Sequence, residues 1–407
     1  MDAPSSDTPD TADTPAPPGY VLRMHASPAE IDAAAWDALL AAQRHASPFS
    51  RHAYLLALHE SGSAVPETGW SPAFATLWRD GRLAAACPLY AKAHSYGEYV
   101  FDWAWANAYS QHGLDYYPKA LCAIPFTPVP GARLLAQDAE ARAVLVRGLV
   151  QWCEAESLSS LHLLFATDDD VDACRDNGLM LRHTVQFHWQ NAGYADFEAF
   201  LAGLAQDKRK KIRQERRKVA DAGVTFRTLQ GAAIGDAGWD FFYRCYERTY
   251  LEHGNAPYLT RDFFRRMQRT MPEHWLLFVA ERAGEPIACS LVALSDAAAG
   301  LQGSADSERV AYGRYWGALE RVDCLHFEAC YYQPIAWCIA HGVARFEGGA
   351  QGEHKMARAL MPVATTSAHW LARPDFSEAV ERFLAREGDG IAGYLEHLEE
   401  RSPFRHG

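Results

Sequence analysis

The sequence predicts an α/β protein with mixed sheets, built from two similar units in tandem. Three observations carry that reading. The chain has 407 residues, too many for one ordinary domain, and 49% of them are hydrophobic, enough for two packed cores. Period-2 apolar runs alternate with runs of helical period along its length, the pattern of strands mixed with helices. Two local echoes also recur in the same order. Arg79-Asp80-Gly81 precedes one strand and Arg282-Ala283-Gly284 another. Cys153 of one Trp-Cys pair lies eight residues before Leu161, and Cys338 of a second pair lies eight before Phe346.

Each element has a local reason. Residues 1–18 are Pro, Asp, Ser and Thr with little to bury, and predict a disordered tail that lacks the basic and apolar stretches of a signal peptide. The first unit covers 19–190. Residues 19–23 read as a strand. Ser27-Pro28-Ala29-Glu30 is a capping box that opens a helix to about Arg44, and a second helix covers 51–60. Strands at 74–78 and 83–90 turn through Asp80-Gly81. A helix over 140–156, a buried strand over 161–165, a helix from Asp168 and strands near 180–190 complete the unit. Residues 191–222 predict a basic junction helix, and 223–407 the second unit. There, helices at 239–253 and 260–271 precede strands at 275–282 and 286–294, which turn at Gly284.

The junction is the chain's strongest charge feature. Between Lys208 and Lys218 eight residues are basic and one is acidic, a net +7; the total of −12 leaves −19 elsewhere. Such a block sets up a local positive field suited to phosphate, nucleotide or an acidic partner. Leu201, Leu204, Ala205, Ile212 and Val219 share one helical side, with Arg209, Arg213, Arg216 and Arg217 spread over the other. Ala222-Gly223 closes the helix. A solvated helix face has equal weight. DNA, or RNA as the main ligand, is disfavoured by the acidic remainder.

Three further clusters could carry chemistry. Tyr116-Tyr117-Pro118-Lys119 runs into the Pro-rich segment 122–131, a rigid loop in which Lys119 could place a charge in a cleft. Segment 346–355 ends an apolar run in a Gly-rich loop, where Gly349, Gln351 and Gly352 would expose backbone N–H groups and His354 and Lys355 would titrate. Glu328 lies among apolar residues. A buried carboxylate there is either paired or pushed up in pKa, and a raised one suits proton removal from an amine. The nine cysteines have no CxxC spacing and read as core residues of a cytoplasmic protein; the histidines lack zinc-ligand spacing. The Trp and Tyr residues read as core filling. No apolar run is long enough to span a membrane. Nucleophile-elbow, phosphate-loop and zinc-protease motifs do not occur, and no Gly-x-Gly-x-x-Gly follows a strand.

The chain resembles the bacterial FemAB-like N-acyltransferases of the GNAT superfamily. The resemblance rests on His94-Ser95-Tyr96-Gly97-Glu98-Tyr99-Val100-Phe101-Asp102, Tyr116-Tyr117-Pro118-Lys119, Pro125-Phe126-Thr127-Pro128, Val185-Gln186-Phe187-His188-Trp189, the basic helix, Gly349-Ala350-Gln351-Gly352-Glu353-His354-Lys355 and Ser367-Ala368-His369-Trp370. It implies two GNAT-like domains side by side and transfer of an acyl or aminoacyl group to an amine, such as that of a cell-wall precursor. Acyl-CoA or aminoacyl-tRNA would be the co-substrate, with no bound cofactor. By carry-over, Lys119, Arg209, Lys210 and Arg213 would hold an anion, joined by Tyr116, Tyr117, His188, Gly349, Gln351, Gly352 and Lys355. Glu328 or His354 would take the amine proton. Two departures stand out: no long heptad pair forms a tRNA-binding arm, and the usual acyl-CoA signature is missing around Arg309-Val310-Ala311-Tyr312-Gly313-Arg314-Tyr315. The alternative is a non-catalytic protein that recognises a peptidoglycan precursor or another anionic ligand.

Overall fold

Turn chemistry and capping set most element ends. The computed structural model describes residues 14–15, 19–296, 309–349 and 352–405. The first half runs β1 (Thr14–Pro15), β2 (Tyr20–His25), α1 (Ala33–Ala41), α2 (His52–Glu60), β3 (Trp70–Pro72), β4 (Phe74–Arg79), β5 (Arg82–Cys87), β6 (Leu89–Lys92) and α3 (Trp103–Gln111). It continues with β7 (Lys119–Cys122), β8 (Leu135–Ala136), α4 (Ala139–Ala155), β9 (Ser160–Ala166), α5 (Asp168–Asp176) and β10 (Met180–Gln190). Next come α6 (Phe197–Ala202) and α7 (Gln206–Asp221). The second half has β11 (Val224–Gln230), α8 (Gly235–Glu252), α9 (Arg261–Thr270), β12 (Trp275–Arg282), β13 (Glu285–Leu294), β14 (Val310–Ala318), α10 (Leu325–Phe327), α11 (Gln333–Ala340), β15 (Arg345–Glu347), β16 (Met361–Leu371) and α12 (Pro374–Glu400).

A five-stranded sheet has the order β1-β2-β4-β5-β8, and an eleven-stranded sheet the order β11-β12-β13-β14-β15-β10-β16-β9-β7-β6-β3. Two neighbours in the large sheet are parallel: β7 with β9, and β14 with β15. Each pair is closed by a crossover whose helix carries one Trp-Cys pair, Trp152-Cys153 on α4 and Trp337-Cys338 on α11. The sequence echo therefore marks two equivalent β-α-β crossovers. The halves share the large sheet, because β16 from near the C-terminus lies between β10 and β9. One apolar cluster also joins them, from Trp36, Phe49 and Tyr54 to Trp239, Phe242, Trp275 and Tyr312. The predicted aromatic core filling is visible here: Trp36, Trp70, Trp189, Trp239 and Trp275 are fully buried.

Several expectations are corrected. The junction is two helices. Gly203 ends α6, Leu204 bridges Phe404, and the Ala205 N–H bonds the Pro403 carbonyl before α7 begins. A tertiary contact from the chain's end outweighs continuous helical periodicity there. The strand expected at 83–90 breaks at Pro88, which has no N–H to donate, so β5 and β6 serve different sheets. Ser27 caps only a short 3-10 turn, and Asp32 caps α1 by accepting from the Ala35 N–H at 2.7 Å. The tail expected over 1–18 lies outside the described residues except for Thr14–Pro15, which pair with β2. Both hairpin turns hold as read, with Asp80-Gly81 and Ala283-Gly284 all at positive φ. Seven of the nine cysteines are buried, and Cys324 and Cys330 are half-buried. Among the described residues no His, Cys, Asp and Glu cluster could hold a metal, and no helix is long and apolar enough to cross a membrane.

Candidate functional site

The large sheet forks between β14 and β15. They pair only through Val310↔Arg345, Ala311↔Phe346 and Tyr312↔Glu347. Beyond Tyr312, β14 runs on to Ala318 with no strand partner on that edge among the described residues. The register against β13 slips there, from Val292↔Gly313 to Leu291↔Tyr315, so Arg314 is the extra residue of a β-bulge. Bulges re-aim side chains and leave ladder groups unpaired, and they are common beside active sites. Gly313 keeps the strands close at the fork: a Cβ there would lie 3.1 Å from the Phe346 ring and 3.3 Å from the Glu347 carbonyl oxygen.

Tyr312, Glu347 and His188 form one row across three neighbouring strands. His188 Nε2 is 3.8 Å from Glu347 Oε2, and both side chains are buried. Arg345 donates to Glu347 Oε1 at 3.0 Å, and Oε2 has no hydrogen-bond partner. Burial lowers the His188 pKa below its usual 6.5, with Glu347 opposing and Arg345 and Lys355 assisting, so the imidazole is neutral at neutral pH. The Pro-rich loop of the first half reaches this row, because Gln186 on β10 donates to the Pro128 carbonyl at 2.9 Å and lies 3.4 Å from His188 Nε2. The oxygens of Gln186 and Glu347 that face Nε2 are both acceptors, so in the neutral ring Nε2 carries the hydrogen and Nδ1 is the basic nitrogen.

The Gly-rich loop follows β15 directly. Gly349 and Gly352 have φ of +89° and +113°, where side chains are disfavoured. Gln351 lies outside the described residues. Lys355 is buried and donates to the Gly349 carbonyl at 2.7 Å; burial pulls its pKa down to about 8. His354 is exposed, 3.3 Å from the Tyr331 hydroxyl, and lines a cavity of about 470 Å³ with Lys208 and Arg401. Glu215, the one acidic residue of the basic block, faces inward. It accepts from both Tyr332 and Arg358, the latter at 3.0 Å, and Arg358 also donates to the His354 carbonyl. This ties α7 to the loop.

Other expected residues sit differently. Glu328 is buried and paired with Arg216 at 3.2 Å and Gln333 at 2.7 Å, so it is a satisfied carboxylate and not a free base. Lys119 is fully buried. Its ammonium donates to Ser95 at 2.8 Å, to Glu98 at 2.7 Å and to Asp102, which leaves no donor for an outside anion. Tyr116 donates to Asp102 at 2.7 Å inside the same network, and Tyr117 meets Ser95 at 2.8 Å. This buried cluster corrects the cleft reading of Tyr116 and Lys119. The exposed face of α7 carries the rest of the basic block. Arg213 pairs with Glu198 at 2.6 Å, whereas Arg209, Lys210, Lys211 and Arg217 have no carboxylate partner among the described residues. Arg213, Arg216 and Arg217 line a cavity of about 620 Å³. Glu347 and Arg314 were not singled out in the sequence, although both lie in segments it marked; the signal for Arg314 was the one charged residue of an otherwise uncharged strand.

A sequence profile of the FemAB-like family, described as peptidoglycan biosynthesis/recognition, matches residues 27–406. The chain belongs to the FemAB-like family. This FemAB-like protein has no detectable match among curated proteins. Its fold is that of FemX (TM-score 0.51, 11% identity, 86% of this chain and 98% of that one). It is equally like the C-terminal domain of a putative lysylphosphatidylglycerol synthetase from Agrobacterium fabrum (TM-score 0.51, 11% identity, 87% and 96%). The fold class read from the sequence, tandem GNAT-like α/β, therefore holds for the FemAB-like chain.

Proposed function

We propose that this FemAB-like protein is a transferase that moves an acyl or aminoacyl group to an amine, with bond-making at the β14–β15 fork. The observation that carries the proposal is the His188–Glu347 pair in register with Tyr312, where the parallel pairing ends beside the Arg314 bulge. The acceptor nitrogen attacks the acyl carbonyl carbon and a C–N bond forms. Backbone N–H groups of the bulged strand stabilise the negative oxygen. His188, held beside Glu347, takes the amine proton. The tetrahedral species collapses, the bond to the donor oxygen or sulfur breaks, and the proton leaves with the donor group. No covalent enzyme intermediate is needed.

The donor carries negative charge, and the exposed Lys210, Lys211 and Arg217 of α7 offer it a positive face. An aminoacyl-tRNA and an acyl-CoA both carry the phosphates that such a face attracts. The loop from β14 into α10 holds Glu320 and Asp323, paired with Arg282 and with Lys218 at 2.7 Å. Each carboxylate there is neutralised by its cation and Arg321 adds a positive charge to the same loop, so charge at this helix start does not separate the two donors. The acceptor is an amine, with cell-wall or lipid precursors the first to test. The test supplies aminoacyl-tRNA or acyl-CoA with candidate amines and reads product by mass spectrometry. His188→Gln and Glu347→Gln should each slow turnover at least tenfold with little change in donor binding. Full activity in both variants would remove the pair from the mechanism, and donor binding without product under any pairing would favour a recognition role.

A further inference from the structure

Arg314 is half-buried at the fork, and among the described residues no carboxylate pairs with it. Its Nη2 donates to three neutral oxygens: the Phe126 carbonyl at 2.9 Å, Thr127 Oγ1 at 3.3 Å and the Tyr315 hydroxyl at 3.1 Å. Its Nε is buried with no partner at all. The guanidinium carbon lies 5.1 Å from the Phe49 ring and 5.0 Å from the Tyr315 ring. Burial works against the charge, and the neighbours that offset it are tyrosines, not carboxylates. Arg133 offers a contrast: it is buried more deeply, but its Nε, Nη1 and Nη2 all donate to carbonyls, of Leu164, Gly131 and Val129. A cation that is half out of water, short of acceptors and without a counter-ion is an incomplete ion pair. A planar guanidinium with free N–H groups matches an oxyanion best.

We propose that Arg314, framed by the Pro-rich loop residues Phe126 and Thr127 and by Tyr315, is the counter-ion of a substrate oxyanion, a carboxylate or a phosphate oxygen, set beside the reacting carbonyl. The inference rests on the transferase reading for where the carbonyl sits. The two elements that frame the guanidinium come from different halves of the chain, so the anion would bridge them. An acceptor that carries both an amine and an acidic group would be oriented this way, while a neutral amine would lack the anchor.

The experiment titrates inorganic phosphate, glycine and glycinamide into the full chain by calorimetry in chloride-free buffer, with wild type, Arg314→Gln and Arg314→Lys. Wild type should bind phosphate or glycine and not glycinamide. Glycine binding would assign a carboxylate, and phosphate binding alone a phosphate-bearing substrate. Arg314→Gln should weaken that binding at least tenfold, with Arg314→Lys in between, because a lysine keeps the charge and loses the fork. Glycinamide binding as well as glycine, no binding by any probe, or equal binding by Arg314→Gln would overturn the proposal. If Arg314→Gln does not fold, phenylglyoxal labelling of wild-type Arg314, read by mass spectrometry, decides: millimolar phosphate or glycine should protect it, and equal labelling with and without them overturns the proposal. Neither readout needs turnover, so a protein that binds the anion and transfers nothing would sink the transferase reading alone.

Discussion

Replacing Lys119 with methionine separates a buried ion-pair centre from a substrate-facing lysine. The wild-type ammonium is fully buried and donates to Ser95, Glu98 and Asp102, whose two carboxylate side chains are only 2% and 4% exposed. Methionine fills similar volume but leaves both carboxylates without a cation. Breaking a buried pair from one side costs about 3–5 kcal/mol, because the remaining charge is uncompensated. An exposed substrate-binding lysine would change stability by about 0.5 kcal/mol or less. Urea unfolding followed by both circular dichroism and tryptophan fluorescence distinguishes the two. The pH dependence has a defined sign. In wild type, burial would raise the Asp102 pKa, but Lys119 and His162 together hold it below 3.8, so its stabilisation is present above that value and is lost on acidification. Without Lys119, burial dominates and the carboxyl protonates at higher pH. The deficit should therefore be largest near neutrality and shrink as pH falls. Adding Glu98→Gln should recover part of the loss, since Glu98 already titrates near 7. A loss under about 1 kcal/mol at pH 7 would refute the reasoning.

Other expected outcomes follow from the same geometry. Gly317→Ala would place a Cβ 2.1 Å from the Cys245 carbonyl oxygen, forcing β14 off α8; a thermal scan should show a loss of about 1–3 kcal/mol or more. Arg216→Ala strips Glu328 of its cation and should cost about 1–3 kcal/mol in urea unfolding, less if Gln333 suffices as partner. His162 is buried with a pKa lowered to about 3, mainly by burial, so the unfolded chain binds the extra proton between 6.5 and about 3. Stability should fall by about 1.4 kcal/mol per pH unit across that window from this group, and His162→Gln should flatten the slope by that amount. If His188 is the base, the rate should stay level as pH falls to 6.5 and drop only below it, and a drop beginning above pH 7 would point to another group.

What was legible in the sequence was local. The hairpin turns at Asp80-Gly81 and Ala283-Gly284 need positive φ, and the glycine of each declares it. The charge contrast of 208–218 and the apolar stripe through Ile212 and Val219 fixed a helix with one wet face. The Trp-Cys echo marked two helix-to-strand segments, and the sheet makes each of them a parallel crossover. Proline removes a donor wherever it stands, but whether Pro88 ends a strand or turns it into a second sheet depends on what lies beside it. The site was decided by distance in space. Lys119 and Glu328 looked like charges awaiting a ligand because Glu98, Asp102 and Arg216 lie 21, 17 and 112 residues away in the chain, beyond any periodicity. His188 meets Glu347, and Thr127 meets Arg314, only because β10, β14 and β15 share one sheet with the Pro-rich loop folded over them. Sequence set each residue's chemistry and each segment's preferred shape; long-range pairing chose which charges cancel inside the core and which are left without a partner at the fork.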